Sequence, residues 1–417
     1  MKIEILCTGD EILTGKTVNT NHSYIARRFT DNALQITRGT TVGDDRESLL
    51  AAFQQASVRA DAVIVNGGLG PTVDDLSQEV AAHAAGVELE LYQPWLEKLK
   101  KYYESRGRQM PENNTKQAML PVGCEFIDNP VGTACGFAVT INNARFFFTP
   151  GVPHEMRRMI NEEILPRILK LSGLTVVTRL KRFHSFGIGE SRADQLLRGI
   201  EDLAPDNSVK LGFQSHFPQL ETKLAAIGKD EETLNATLAP LEARIRQSMG
   251  NFILCEDNQT LESEILKALG EVSGTLATIE MTTGGLISQR LNTDQSGSVV
   301  CSIVSQNIQQ LAQASGLERA TLDISSAAEI AIALRRQSAS SHSLVSLMVP
   351  DEADDSRDFG ADVYIALSSP ESTVTRKSRL TGGRKWITLG ATEMSLDCLR
   401  RYLLDLPVDE KIDFEQH

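Results

Sequence analysis

The stretch NGGLGPTVDDLS, Asn66–Ser77, follows directly on the apolar β-branched run AVIV, Ala62–Val65. The run reads as a buried strand. The chain then turns through Gly67, Gly68, Gly70 and Pro71 into Thr72, Asp74 and Asp75, which read as the first turn of a helix. A strand, a glycine-rich turn and a helix N-terminus in succession suit a phosphate. Glycines let backbone N–H groups approach an anion closely, and the helix dipole favours negative charge there. Two carboxylates beside that turn would repel a bare phosphate unless a cation lay between them. The stretch therefore predicts a metal-assisted phosphate or pyrophosphate site, whose neighbours must support it.

Outward from this turn, residues 1–170 alternate strand and helix signals. IEILCT (Ile3–Thr8) and RFFFT (Arg145–Thr149) are strand-like. Thr20–Phe29 and Arg46–Ala60 carry apolar residues at helical spacing, with Ile25 and Phe29 in the first and Leu49, Phe53 and Ala56 in the second. Alternation of this kind predicts an α/β fold, a three-layer, doubly wound, mainly parallel sheet. Ligands of such sheets bind beyond the carboxyl ends of the strands. That rule would gather Gly9-Asp10-Glu11, Gly43-Asp44-Asp45, the Gly67–Asp75 turn and Pro150–Pro153 at one edge. Taken singly, each suits a helix cap or a rigid turn. Their joint placement is what points to a site.

Composition narrows the alternatives. The chain has 417 residues, 41% hydrophobic and 23% charged, enough for two or three domains with proper cores. A net charge of −13 argues against a general nucleic-acid or membrane-surface binder, which needs a basic face. Six cysteines without a C-x-x-C pair suggest reduced thiols rather than a disulfide framework or a zinc site. The opening MKIEILCTGD lacks a signal-peptide pattern, and no apolar run approaches the ~20 residues of a membrane span. A cytoplasmic protein is expected.

Five separated motifs carry a resemblance: GDEILTG (Gly9–Gly15), NGGLGPTVDD (Asn66–Asp75), KQAMLP (Lys116–Pro121), NPVGTACGF (Asn129–Phe137) and TPGVPHEM (Thr149–Met156). In this order they resemble the competence/damage-inducible CinA family. The resemblance implies an N-terminal molybdopterin-binding fold over residues 1–172, a KH-type α+β middle domain over 173–256 and a C-terminal α/β domain over 257–417. It further implies a metal-dependent hydrolase that cleaves the pyrophosphate of ADP-ribose to AMP and ribose 5-phosphate. Asp44 and Asp75 fall at the two acidic positions of the related active sites and would hold a divalent cation (Mg, Mn or Co) as Lewis acid. Glu11 is the candidate for metal support or general base. Candidate substrate contacts are Gly67, Gly68, Gly70, Thr72, Lys116, Asn129, Gly132, Thr133 and Gly151. The alternatives are a non-catalytic nucleotide-binding protein and a molybdopterin-binding protein. GGLG stands where the pterin enzymes carry GGTG, which disfavours the latter. A homodimer is the expected assembly.

TRLKRFHSF (Thr178–Phe186) and QLETKLAAI (Gln219–Ile227) read as strands, and Leu234, Leu238, Leu241 and Ile245 as a helix face. This segment resembles the KH-type domain of the family, but Gly187-Ile188-Gly189 is not the GXXG loop that grips RNA. His184 and His216 have no partners at ligand spacing.

Further on, IEMTTGGLISQRL (Ile279–Leu291) resembles the family's nicotinamide mononucleotide deamidase domain, whose turn reads A-E-S-C-T-G-G with the serine as nucleophile. Glu280 is retained, whereas Met281 stands at the serine and Thr282 at the cysteine. A thioether cannot form an acyl intermediate. The family's tyrosine and lysine have no counterpart in Cys301–Gln310, and LMVPDEADD (Leu347–Asp355) replaces its glycine-rich segment. The expectation is a domain that keeps its fold and lacks deamidase activity.

Overall fold

A computed structural model describes residues 1–174, 177–204, 208–292, 297–352 and 359–416. The chain divides into two compact units, Met1–Thr178 and Arg179–His417.

The first unit is built on strands β1 (Ile3–Thr8), β2 (Ile36–Val42), β3 (Ala62–Asn66), β6 (Glu125–Ile127), β7 (Gly136–Ile141) and β8 (Ala144–Thr149), in the order β2-β1-β3-β8-β7-β6. The first four run parallel, and β7 and β6 close the sheet antiparallel. A separate pair, β4 (Leu89–Leu91) and β5 (Met119–Pro121), is antiparallel. Alternation along the strands fills two cores, because successive side chains of a strand point to opposite faces. Ala62 and Ile64 join Ile3, Ile5 and Cys7 beneath Ile25 and Phe29 of α2 (Thr20–Thr30) and Met156 and Met159 of α6 (Pro153–Met159). Val63 and Val65 face Phe53 of α3 (Arg46–Arg59), Val80 of α4 (Ser77–Ala85) and Trp95 of α5 (Gln93–Glu104). Both faces are covered, so β3 is apolar throughout. This is the doubly wound, mainly parallel α/β sheet expected from the sequence. Short α1 (Asp10–Leu13) follows β1, and α7 (Leu165–Ser172) ends the unit's helices.

One local expectation is corrected. Thr72–Asp75 is not the first turn of a helix; α4 begins at Ser77. The Asp75 carboxylate accepts from the Thr72 amide at 2.9 Å and from its hydroxyl, closing a turn on itself. A short polar side chain that bonds its own backbone competes with helix. Ser77 then ties the helix start to the glycine turn, its amide donating to the Gly68 carbonyl and its hydroxyl to that of Gly67.

The second unit carries two sheets. Strands β9 (Val177–Phe186), β10 (Val209–His216), β11 (Gln219–Gly228) and β12 (Ile253–Glu256) lie in the order β10-β11-β9-β12 with helices α8 (Glu190–Leu196) and α9 (Glu231–Met249). Leu234, Leu238, Leu241 and Ile245 form the buried face of α9, as their spacing predicts. The other sheet, β14-β13-β15-β16-β17-β18, uses β13 (Leu276–Met281), β14 (Val299–Val304), β15 (His342–Pro350), β16 (Gly360–Ser368), β17 (Thr373–Thr381) and β18 (Glu415–Gln416). Here β13 runs parallel to both β14 and β15, and the remaining pairs are antiparallel. Helices α10 (Leu261–Glu271), α11 (Leu286–Leu291), α12 (Ile308–Ala314), α13 (Ile324–Gln337) and α14 (Arg384–Leu403) complete this part. Of the LMVPDEADD segment, Leu347–Pro350 ends β15, and Ala353, Asp354 and Asp355 lie outside the described residues.

Candidate functional sites

In the first unit the parallel strands β1, β2, β3 and β8 end together, and the loops after them line one cavity of about 480 Å³. Glu11, Asp44, Gly67, Gly68, Gly70, Asp75, Thr133 and Gly151, all expected at the site, border it. The Gly67 amide donates to the Thr149 carbonyl at 2.9 Å, so it serves the fold. Those of Gly68, Leu69 and Gly70 have no acceptor among the described residues.

Four expected contacts do not border the cavity. Thr72 is tied up with Asp75. Lys116 donates its ammonium to the Thr72 carbonyl at 2.5 Å. Asn129 is fully buried, donating to the Ala134 carbonyl at 2.8 Å and the Glu155 carboxylate at 2.7 Å while its own oxygen accepts from the Val131 and Gly132 amides. A Cβ on Gly132 would lie 1.9 Å from Glu155 Oε2, so glycine there makes room for that carboxylate. These residues shape the loops around the cavity. Polar groups the sequence reading passed over line it instead: Asn21 and Asn66 hydrogen-bond at 3.0 Å, and Asn66 also holds Thr149 and the Pro150 carbonyl. The signal for Asn66 was its place at the strand's carboxyl end, a buried position that an amide occupies only with partners.

The acidic residues do not form a ready cage for a cation. Asp44 Oδ2 accepts from the Asp10 amide at 3.1 Å, and Asp75 Oδ2 is committed to Thr72. Burial, and then the like charges of Asp10, Glu11 and Asp74, push the Asp44 carboxyl above its ordinary value against the opposing hydrogen bond from Asp10. Among the described residues no three His, Cys, Asp or Glu side chains come together as a metal site. The expected divalent-metal donors Asp44 and Asp75 thus border one cavity with each carboxylate already hydrogen-bonded.

In the second unit, β13 lies between two parallel neighbours, and its carboxyl end is the corresponding ligand edge of this sheet. Met281, its last residue, belongs to a buried cluster with Ile279, Leu311 and Leu347. The next residue, Thr282, has φ +73°, an uncommon conformation for a β-branched residue. Gly284 and Gly285 follow at φ +73° and +88°, and α11 starts at Leu286. Glu280 anchors this turn. It is fully buried and accepts from the Thr283 hydroxyl at 2.6 Å, the Ile287 amide at 3.1 Å, the Ser288 amide at 2.9 Å and the Ser288 hydroxyl at 2.5 Å. A carboxylate at the start of α11 also meets the helix dipole favourably. The amides of Thr283, Gly284 and Gly285 have no acceptor among the described residues. A strand, a turn with a hydroxyl-bearing residue at positive φ, and a helix thus follow one another here. His184 bonds the Asp257 carbonyl at 2.9 Å, and His216 is exposed.

A doubly wound N-terminal sheet with polar loops at its carboxyl edge, followed by a small sheet with two helices and a second α/β sheet, defines a class of multidomain α/β protein. The family models described as probable molybdopterin binding domain, damage-inducible protein CinA KH domain and CinA C-terminal domain match residues 4–170, 180–254 and 258–403. A CinA-like protein of Shewanella woodyi is 36% identical over 97% of this chain and 96% of its own length. The chain belongs to the CinA family. A Shewanella oneidensis relative named nicotinamide-nucleotide amidohydrolase PncC is also 36% identical, over 97% of this chain and 96% of its own. Among solved structures, CinA of Thermoplasma acidophilum is 33% identical, covering 41% of this chain and 98% of its own with a TM-score of 0.37. The molybdopterin biosynthesis enzyme MoaB of Thermus thermophilus is 17% identical over 42% of this chain and 97% of its own, with a TM-score of 0.29.

These relatives correct the expected activity. The full-length relative's name and the matching C-terminal domain point to a nicotinamide-nucleotide amidohydrolase, not to an ADP-ribose pyrophosphatase. The same finding overturns the expectation of a dead deamidase. That expectation rested on Met281, on the tyrosine and lysine without counterpart in Cys301–Gln310 and on LMVPDEADD in place of the glycine-rich segment; a hydroxyl does follow Met281 directly, at Thr282. Among the described residues no helix is long and apolar enough to cross a membrane.

Proposed function

We propose that the C-terminal part of the chain hydrolyses the carboxamide of a nicotinamide nucleotide, releasing ammonia and leaving the carboxylate. The observation that carries this reading is the Thr282 turn at the end of β13, held by the four-fold hydrogen-bonded Glu280. The name of the Shewanella oneidensis relative supports the substrate.

In this reading the Thr282 hydroxyl attacks the amide carbon. The oxyanion so formed meets the amides of Thr283–Gly285, fixed before the reaction and so requiring little reorganisation. The hydroxyl's proton passes to the nitrogen, which leaves as ammonia, and water then cleaves the threonyl ester, giving the acid and returning a proton to the threonine oxygen. Glu280 is a positioning residue, since its oxygens are committed to the turn and to α11. Strain of the kind seen at Thr282 is held where the surroundings over-determine it, and it gathers at functional sites.

The test is ammonia release when the purified chain is incubated with nicotinamide mononucleotide. Release that falls at least about a hundredfold in Thr282→Ala and survives in Thr282→Ser is expected. Absence of release from the unmodified chain, or undiminished release from Thr282→Ala, overturns the assignment.

A further inference from the structure

A second cavity, of about 400 Å³, lies wholly within the second unit, where the β10–β11 hairpin meets β17 and the first turns of α14. Its size suits a small organic molecule. Four aromatic rings line it. Phe217 packs on Trp386 with centroids 3.8 Å apart, and Phe414 lies 6.0 Å from both Phe217 and Phe186. Phe186 is 2% exposed and anchors this wall, whereas Trp386 leaves 54% of its surface open. Beside its contact with Phe217, the indole thus keeps exposed surface at the cavity.

The charged lining has one sign. Glu190, Asp413 and Glu415 border the cavity, and among the described residues no lysine or arginine does. Asp413 is paired with Arg192 at 2.6 Å and Glu415 with Arg376 at 2.7 Å, so the field of these two is largely spent. Glu190 is exposed and has no ion-pair partner among the described residues. A bare metal ion is poorly served here, since no cluster of metal-holding side chains forms among the described residues. An anion would meet unfavourable charge, and aromatic faces attract positive charge through their quadrupole.

We infer that this cavity binds a small, weakly hydrated organic cation, of the quaternary ammonium class, with its charge over Trp386 and against Glu190. The inference is independent of the proposed deamidation, since none of the residues of the Thr282 turn lines the cavity.

Choline is the probe, and 3,3-dimethylbutan-1-ol, its neutral carbon counterpart, is the control. The chain has two tryptophans, and Trp95 is 1% exposed, so a change in exposed-tryptophan emission reports on Trp386. Calorimetry and ligand-observed NMR supply a readout independent of fluorescence. Saturable choline binding is expected, at least about tenfold tighter than the neutral alcohol, as a desolvated cation–π contact requires. Trp386→Ala should abolish it, and Glu190→Gln, an exposed change that leaves the fold intact, should weaken it about threefold. Equal binding of the two probes, no saturable choline binding, or choline binding unchanged in Trp386→Ala or in Glu190→Gln would each overturn the inference.

Discussion

Glu280 accepts two hydrogen bonds from Ser288, from its amide at 2.9 Å and its hydroxyl at 2.5 Å, and so joins the end of β13 to the first turns of α11. With Thr283 and Ile287 on its other oxygen, the carboxylate has no capacity left for a proton-transfer role. Glu280→Ala would leave these buried donors unpaired, and hydrogen bonds to a charged group contribute more than neutral ones. The expected loss is about 3 kcal/mol of unfolding free energy in a urea titration. Glu280→Gln keeps the shape and should lose less. A surface-like loss below roughly 0.5 kcal/mol in Glu280→Ala would contradict the anchoring role.

Thr282 is expected to trade stability against activity. Its left-handed backbone costs roughly 1–2 kcal/mol for a residue with a Cβ. Thr282→Gly should therefore raise the melting temperature while ending ammonia release from nicotinamide mononucleotide. A variant that melts lower than the parent would show that the hydroxyl, not the backbone, stabilises this turn.

Asp44 should make the first unit's stability depend on pH. Burial and its acidic neighbours raise its carboxyl above the ordinary 3.8, so the folded state holds that proton more tightly than the unfolded chain does. The resulting cost is absent below pH 3.8, grows as pH rises toward the raised value and is full above it. Asp44→Asn keeps an acceptor for the Asp10 amide and removes the charge. Its melting temperature should exceed the parent's at pH 7, and the gap should close as pH falls below 3.8. A gap that persists in acid would assign the gain to something other than charge.

Asn66 ties the ends of β3 and β8 together through Thr149 and the Pro150 carbonyl, at 3.0 and 2.7 Å. Asn66→Ala would strand these buried groups and Asn21, with an expected loss of about 2–3 kcal/mol. Hydrogen exchange at the Gly67–Gly70 amides should accelerate in the same variant. Unchanged exchange would mean that the glycine turn is held by Ser77 alone.

The sequence by itself determined the layering of the first unit. AVIV is apolar throughout and IEILCT at four of its six positions, and strands covered on both faces bury such runs. It also determined that the loops after β1, β2, β3 and β8 share an edge, because parallel strands end on the same side. It identified the family through motifs in order, and it identified the buried face of α9 through its spacing. Tertiary structure alone decided which polar residues face the cavity. Asn129, Gly132 and Lys116 sit in motifs yet serve the loops, while Asn21 arrives from α2, and no spacing encodes such long-range pairing. It alone placed Met281 in the core and gave Thr282 a positive φ, in a turn whose buried Glu280 reaches forward to α11. The pattern of residues fixes which surfaces must be buried; the partners that buried polar groups find depend on where the rest of the chain has gone.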